Sequence, residues 1–167
     1  MKRFITFAAI AALAVVALSS CKKDGPDKKA QFGYATVTAK YSINDDLNKA
    51  ADMTLNIVKF DGSKMSVPVS TTQQVVDIEK FTGSIPADFK YEFVAKQKES
   101  ITKESFNCSL TYDFTVKVYD TTGKLKRTKS SNGTVSMNGG KEILDLIIER
   151  FNRVKTTISI KEDMTIE

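Results

Sequence analysis

The chain has 167 residues, which is enough for one domain with a sizeable apolar core. It contains no histidine, no tryptophan and two cysteines, so the usual histidine- and cysteine-based catalytic sets and zinc sites cannot be assembled. The net charge of +5 arises from lysines interspersed with acidic residues and gives no reason to expect a nucleic-acid partner.

The N-terminal segment has the pattern of a bacterial export signal. Met1-Lys2-Arg3 is basic, and the apolar run from Phe4 to Leu18 follows it. Such a basic start remains on the cytoplasmic side while the apolar run enters the membrane. The run is about 15 residues long, shorter than the roughly 20 residues that a spanning helix needs. Small residues then precede Cys21, where the sequence turns polar, and predict cleavage between Ser20 and Cys21.

The end of this segment, Leu18-Ser19-Ser20-Cys21, resembles the lipobox of bacterial lipoproteins. In that family the cysteine thiol receives a diacylglyceryl group, the signal is cut before the cysteine, and the new amine is acylated. The resemblance implies loss of residues 1–20 and a stable lipid anchor on Cys21. One acyl chain binds a membrane only weakly, whereas several chains attach a protein stably. The start Ser20-Cys21-Lys22-Lys23-Asp24 is also similar to small outer-membrane lipoproteins of Bacteroidetes-type bacteria. Lys22 beside the cysteine implies the outer membrane, with the domain on the cell surface or the periplasmic face.

Residues 21–32 are predicted to be the lipidated cysteine and a flexible tether, because they are polar and include Gly25 and Pro26. A single domain is predicted from residue 33 to 167. Within it, alternating apolar residues predict strands at 35–43, 53–57, 65–69, 75–81 and 89–95. Pro68 cannot donate a backbone hydrogen bond, which predicts an edge position or an interruption for its strand. Residues 44–48 are expected to form a polar turn or a short helical loop.

The second half of the domain begins with the clearest alternation, at residues 106–118, which predicts a long strand. Cys108 lies on its apolar face and is expected to pack in the core. A turn at 120–123 and an exposed basic edge strand follow, with Val135 and Met137 as later apolar positions. Apolar spacing then predicts a helix at about 141–152, starting near 138–139. A last strand at 154–160 is expected, with Met164 and Ile166 as a possible extension.

These elements predict a mainly β protein. The fold that fits best is an antiparallel immunoglobulin- or transthyretin-like β-sandwich of about seven strands with one late α-helix. The alternative is an α+β sheet with that helix packed on one face.

Two groups of side chains are candidates for ligand binding. The densest positive charge predicts a possible anionic-ligand patch, with a solvated edge strand as the plainer interpretation, at Lys124, Lys126, Arg127 and Lys129. Four aromatic residues lie off the core-facing positions, and we expect them to pack rather than form a ligand platform: Tyr34, Phe60, Phe81 and Tyr119.

The sequence therefore predicts a non-enzymatic binding or accessory module, attached to the outer membrane by its lipid. Its partner would be an envelope protein or a glycan, and we expect no nucleic acid, metal or cofactor. One alternative is a structural subunit or anchor of a surface appendage, because fimbrillin-like lipoproteins use β-sandwich domains and strand exchange. A hydrolase is the third hypothesis and requires two carboxylates in a pocket that raises their pKa.

Overall fold

The computed structural model describes residues 30–167. The predictions for the signal at 1–20, for cleavage between Ser20 and Cys21, for lipidation of Cys21 and for the tether up to residue 29 lie outside the described residues.

Two four-stranded antiparallel sheets account for most of the described part of the chain. The elements in chain order are β1 (Phe32–Ile43), α1 (Asp45–Ala50), β2 (Ala51–Val58), β3 (Lys64–Pro68), β4 (Gln74–Phe81), β5 (Ala87–Gln97), β6 (Ser105–Asp120), β7 (Leu125–Gly140), a 3-10 turn (Lys141–Ile143), α2 (Leu144–Asn152) and β8 (Lys155–Ile160). Sheet 1 has the order β4-β1-β6-β7, and sheet 2 has the order β3-β2-β5-β8. The predicted β-sandwich with one late helix is confirmed, with eight strands in place of about seven.

The core lies between the two sheets because each strand turns alternate residues inward. Its centre is aromatic: the rings of Tyr91 on β5 and Phe114 on β6 are stacked with their centroids 3.8 Å apart. Phe93 meets Tyr41 on β1 edge to face, at 6.3 Å. Burying one such large apolar side chain stabilises a fold by about 1.5–3 kcal/mol, so this cluster supplies much of the attraction between the sheets.

The long strand predicted at 106–118 is confirmed as β6, which lies in the interior of sheet 1 between β1 and β7. Its apolar face is buried except at Tyr112, which is half-buried. Cys108 is fully buried and in no disulfide, and burial raises the pKa of its thiol to about 11. The thiol is therefore protonated at neutral pH, which agrees with the predicted role in core packing.

Two predicted boundaries are wrong. The helix does not start near 138–139, because β7 continues to pair with β6 as far as Gly140. Gly139 allows this close approach, since a Cβ there would lie 2.3 Å from a side-chain carbon of Ile143. Residues 164 and 166 do not extend β8 either, because the chain reverses at Met164, whose φ is 65°, and Ile166 pairs back with Ile160.

Replacing Phe114 with alanine should lower the free energy of unfolding by about 3–5 kcal/mol, because the change opens a cavity in the aromatic centre of the core. Chemical denaturation followed by circular dichroism measures this. Val75→Ala is the control, since Val75 is 64% exposed and its loss should change stability by less than about 0.5 kcal/mol. Equal effects of the two substitutions would contradict the described core.

Candidate ligand-binding face

The outer face of sheet 1 arranges its side chains in rows that cross the strands. Directly paired residues on neighbouring strands present their side chains on the same side of a sheet. The tyrosine row consists of Tyr34 on β1, Tyr119 on β6 and Leu125 on β7. The lysine row beside it consists of Lys80 on β4, Thr36 on β1 and Lys117 on β6.

The aromatic rings of the tyrosine row are packed against each other. Tyr34 and Tyr119 are stacked, with their centroids 4.5 Å apart and an angle of 13° between their planes. The Lys80 ammonium lies 4.6 Å from the centre of the Tyr34 ring, and β4 and β6 flank β1 on opposite sides. Tyr34 is thus held between a cation and a second ring, so it does not present an open face on which a sugar ring could stack.

The lysine row places two cations around one hydroxyl group. Thr36 is paired with Lys80 on one side and with Lys117 on the other, and both lysines are exposed. Neighbours across strands are about 5 Å apart at Cβ, so the two ammonium groups can approach one anion from both sides. A carboxylate, sulfate or phosphate group suits this arrangement, because it accepts charge-assisted hydrogen bonds from both lysines.

Hydroxyl and amide side chains form the hydroxyl band along β6 and β7, on an outer face that also carries Lys40, Asp77 and Asp113. Pairs of hydroxyl groups join β6 to β7, with 2.8 Å between the Oγ atoms of Thr115 and Ser130 and 3.3 Å between those of Thr111 and Thr134. Asn132, Ser136 and Asn138 continue this band along β7. Such a surface offers both donors and acceptors and suits a hydroxylated polymer better than an apolar ligand.

The structure does not bring the four predicted patch residues onto one surface. Lys126 forms an ion pair with Asp120, with 2.9 Å between Nζ and Oδ2. Arg127 and Lys126 both line a cavity of about 530 Å³, together with Glu162 and Asp163. Lys124 and Lys129 are exposed, and the pairing of Lys129 and Arg127 with inward-facing β6 residues turns them away from the tyrosine row.

The turn between β6 and β7 is organised by the carboxylate of Asp120. Its Oδ1 atom accepts hydrogen bonds from the hydroxyl and the backbone N–H of Thr122 and from the N–H of Lys124, at 2.6, 2.9 and 2.9 Å. Hydrogen bonds from Thr122 and then Lys126 hold the pKa of Asp120 well below its usual range. The start of β1 packs directly on this turn, because a Cβ on Gly33 would lie 2.2 Å from the carbonyl oxygen of Asp120.

The other two candidate aromatic residues, Phe60 and Phe81, lie in the core. They are 8% and 7% exposed, and their ring centroids are 5.3 Å apart. Apolar alternation did not reveal that these two residues lie in the core. Phe60 lies beyond the end of β2, and Phe81 lies beyond a bulge in β4 opposite Val37 and Thr38.

Two carboxylates, Asp77 and Glu79, line a cavity of about 420 Å³ together with Thr36 and Lys80 of the lysine row. Burial raises the pKa of Glu79, which accepts a 2.9 Å hydrogen bond from the N–H of Phe60. Glu79 is paired with the inward-facing Val37, whereas Asp77 is paired with the outward-facing Thr38. The two carboxylates therefore point to opposite sides of the sheet and do not face one substrate, as glycoside hydrolysis requires.

Comparisons with protein-family models, with curated proteins and with solved structures found no match. Within residues 30–167, no group of three or more acidic or cysteine side chains is arranged to hold a metal ion. Over the same range, none of the helices has the length and apolar character needed to cross a bilayer.

Asp120→Asn should lower the thermal midpoint of unfolding at neutral pH, because the amide cannot form the ion pair with Lys126 or accept as many hydrogen bonds. The pKa of Asp120 is lower in the folded than in the unfolded state, so its stabilisation is present above about pH 4 and is lost as the pH falls below that value. The difference between the parent and the variant should accordingly narrow on acidification. Thermal melts at several pH values measure it, and a constant difference from pH 7 to pH 2 would contradict the assignment.

Proposed function

We propose that the protein is a lipid-anchored lipoprotein of the outer membrane whose β-sandwich is a non-enzymatic binding module for an anionic glycan. The observation that carries this proposal is the lysine row on the outer face of sheet 1, where Lys80 and Lys117 flank Thr36. The sequence left two classes of partner open, an envelope protein and a glycan, and the glycan is proposed.

The lysine row and the hydroxyl band together favour a charged polysaccharide. Lys80 and Lys117 supply positive charge for its acidic groups, and the band from Thr128 to Asn138 supplies hydrogen bonds for its hydroxyl groups. The Tyr34 ring holds the Lys80 ammonium group in place, because that group lies over the ring. Tyr119 in turn holds the Tyr34 ring by stacking on it. Since these rings are stacked on each other, neutral sugars lack the open aromatic face on which they usually pack.

The anchor part of the proposal rests on residues 1–21 and agrees with the way the chain enters the domain. The backbone carbonyl of Gln31 accepts a 3.1 Å hydrogen bond from the N–H of Thr121, in the turn that follows Tyr119 and Asp120. The chain thus joins the sandwich at the end that carries the tyrosine row. A lipid on Cys21 would hold this end nearest the membrane, where envelope polysaccharides are attached.

The anchor is tested by Cys21→Ala in the full-length chain, expressed in its own type of bacterium. The variant should lose incorporation of labelled fatty acid and should leave the membrane fraction, because the thiol that accepts the diacylglyceryl group is gone. Cys108→Ala is the matched control and should remain labelled, since Cys108 is buried in the domain. Acyl labelling and membrane pelleting that persist in Cys21→Ala would overturn the lipobox assignment.

Ligand binding is tested with the full-length protein in detergent, using polygalacturonate as the anionic probe and dextran as the neutral one. Binding to polygalacturonate should weaken with rising salt. Lys80→Ala combined with Lys117→Ala should weaken it on the order of tenfold, because two exposed ion pairs contribute up to about 1 kcal/mol each.

The matched control removes two exposed lysines from sheet 2, by Lys64→Ala and Lys96→Ala. It lowers the net charge equally and should leave the affinity within twofold of the parent. Equal losses in the two double variants would show a nonspecific charge effect, and tight binding of dextran would contradict the proposed recognition of acidic groups.

A further inference from the structure

Strand β7 is a long edge strand with a free side. It forms one margin of sheet 1 and pairs with β6 over its whole length, from Leu125 to Gly140. A free strand edge presents unpaired N–H and C=O groups and can pair with another strand.

The backbone groups that point outward from β7 can be identified from the neighbouring strand. On β6, the C=O of Ser109 accepts a hydrogen bond from the backbone N–H of Asn44, just after β1, and its N–H donates to the side-chain Oδ1 of Asn44. The backbone N–H and C=O groups of odd-numbered β6 residues therefore point to β1, and those of even-numbered residues point to β7. Even-numbered β6 residues such as Leu110 pair with odd-numbered β7 residues such as Val135. The N–H and C=O groups facing solvent therefore belong to the even-numbered residues Thr128, Ser130, Asn132, Thr134, Ser136 and Asn138.

The other three sheet margins are short, covered or irregular. Strand β3 has five residues and ends at Pro68, and β8 has six. The C-terminal residues cover the end of β8, where Ser159 and Glu167 exchange two backbone hydrogen bonds. Strand β4 carries a bulge and exposed charges at Asp77 and Lys80. These are the devices by which proteins prevent pairing at sheet edges.

The second half of β7 carries none of these devices. Residues 130–140 include no charged residue and no proline. Val135 and Met137 are only half-buried on the inner side of this segment. Apolar side chains thus lie along the free edge.

We propose that the free edge of β7 pairs with the same edge of a second copy of this chain, antiparallel about a two-fold axis at Val135. This pairing joins the two copies of sheet 1 into one continuous sheet. Ser130 then lies opposite Gly140, and Val135 lies opposite itself. The outward-facing groups of Thr134 and Ser136 exchange hydrogen bonds across the axis, and the Val135 side chains come together.

The distribution of charge favours this antiparallel arrangement. Lys126, Arg127 and Lys129 all lie in the first half of β7. A parallel, in-register pairing would place each of these cations beside its own copy, which is destabilising. The antiparallel pairing about Val135 carries them to opposite ends of the interface, outside the paired segment. Self-association of this kind uses the outward-facing backbone groups of β7, whereas the proposed glycan site uses the side chains on the outer face of the same strand.

The proposal is tested with Val135→Cys in the full-length chain in its own membrane. Val135 forms a non-hydrogen-bonded pair with its copy, so the two Cα atoms would be about 4.5 Å apart, within the range of a disulfide. Mild oxidation and a non-reducing gel should show more than half of the variant as a dimer. The parent chain gives the baseline for Cys21 and Cys108.

Two variants should remain largely uncross-linked under the same conditions. Ser130→Cys lies on the same strand but opposite Gly140, and Thr157→Cys lies at an exposed position of β8, an edge strand of sheet 2. Adding Ser136→Lys to Val135→Cys should reduce the dimer at least fivefold, since like charges would meet at the axis. Circular dichroism checks that this variant is folded.

Three results would overturn the proposal: no cross-linking of Val135→Cys, equal cross-linking of Thr157→Cys, or no effect of Ser136→Lys in a folded variant. A disulfide between the cysteine of Val135→Cys and a different protein would show that this other protein, and not a second copy, pairs with the β7 edge. One added cysteine can link two copies at most, so higher oligomers are sought for the parent on a native gel, where a ladder would indicate strand exchange, as in the appendage hypothesis, in place of a closed dimer.

Discussion

The stacking of Tyr91 on Phe114 is the interaction on which the rest of the structure depends. Cys108 forms no disulfide, so the two sheets are held together by packing, and this pair lies where β5 crosses β6. The hydroxyl of Tyr91 reaches further, to the hydroxyl of Ser131 on β7 at 2.7 Å. One side chain therefore connects the apolar centre of sheet 2 to both the middle and the margin of sheet 1. The position of the β7 edge, and of the face beside it, follows from this contact.

Much of the fold could be predicted from the sequence, because alternation of apolar residues directly reports which side of a strand is buried. The buried face of β6 follows from this rule. The edge position of the strand ending at Pro68 is one of the two outcomes predicted from the missing N–H of proline. The boundary at Gly140 could not be predicted in the same way. A pair of glycines suggests the end of a strand, yet Gly139 lies within β7. The space that a side chain at position 139 would fill is occupied by Ile143, which packs against the strand there.

Most of the candidate site could not be predicted from the sequence. Residues that are close along the chain need not be close across a sheet, and the reverse also holds. The basic residues from Lys124 to Lys129 are close in the chain, but Lys126 forms an ion pair with Asp120, and Arg127 and Lys129 are paired with inward-facing residues of β6. Lys80 and Lys117 are far apart in the chain and meet across Thr36 because β4 and β6 both pair with β1. Pairing partners of this kind become visible only when the strand order and register are known.

The attachment of Gln31 to the turn after Tyr119 sets a limit on how far the candidate face can travel. Nine residues, 22–30, separate Gln31 from the proposed lipidated cysteine. Ten steps along a fully extended chain, at about 3.5 Å each, place Gln31 at most about 35 Å from Cys21. The tyrosine and lysine rows would then remain in a thin layer close to the lipid headgroups. A polymer could be captured only if it enters that layer, so selection would be by height above the membrane as well as by charge.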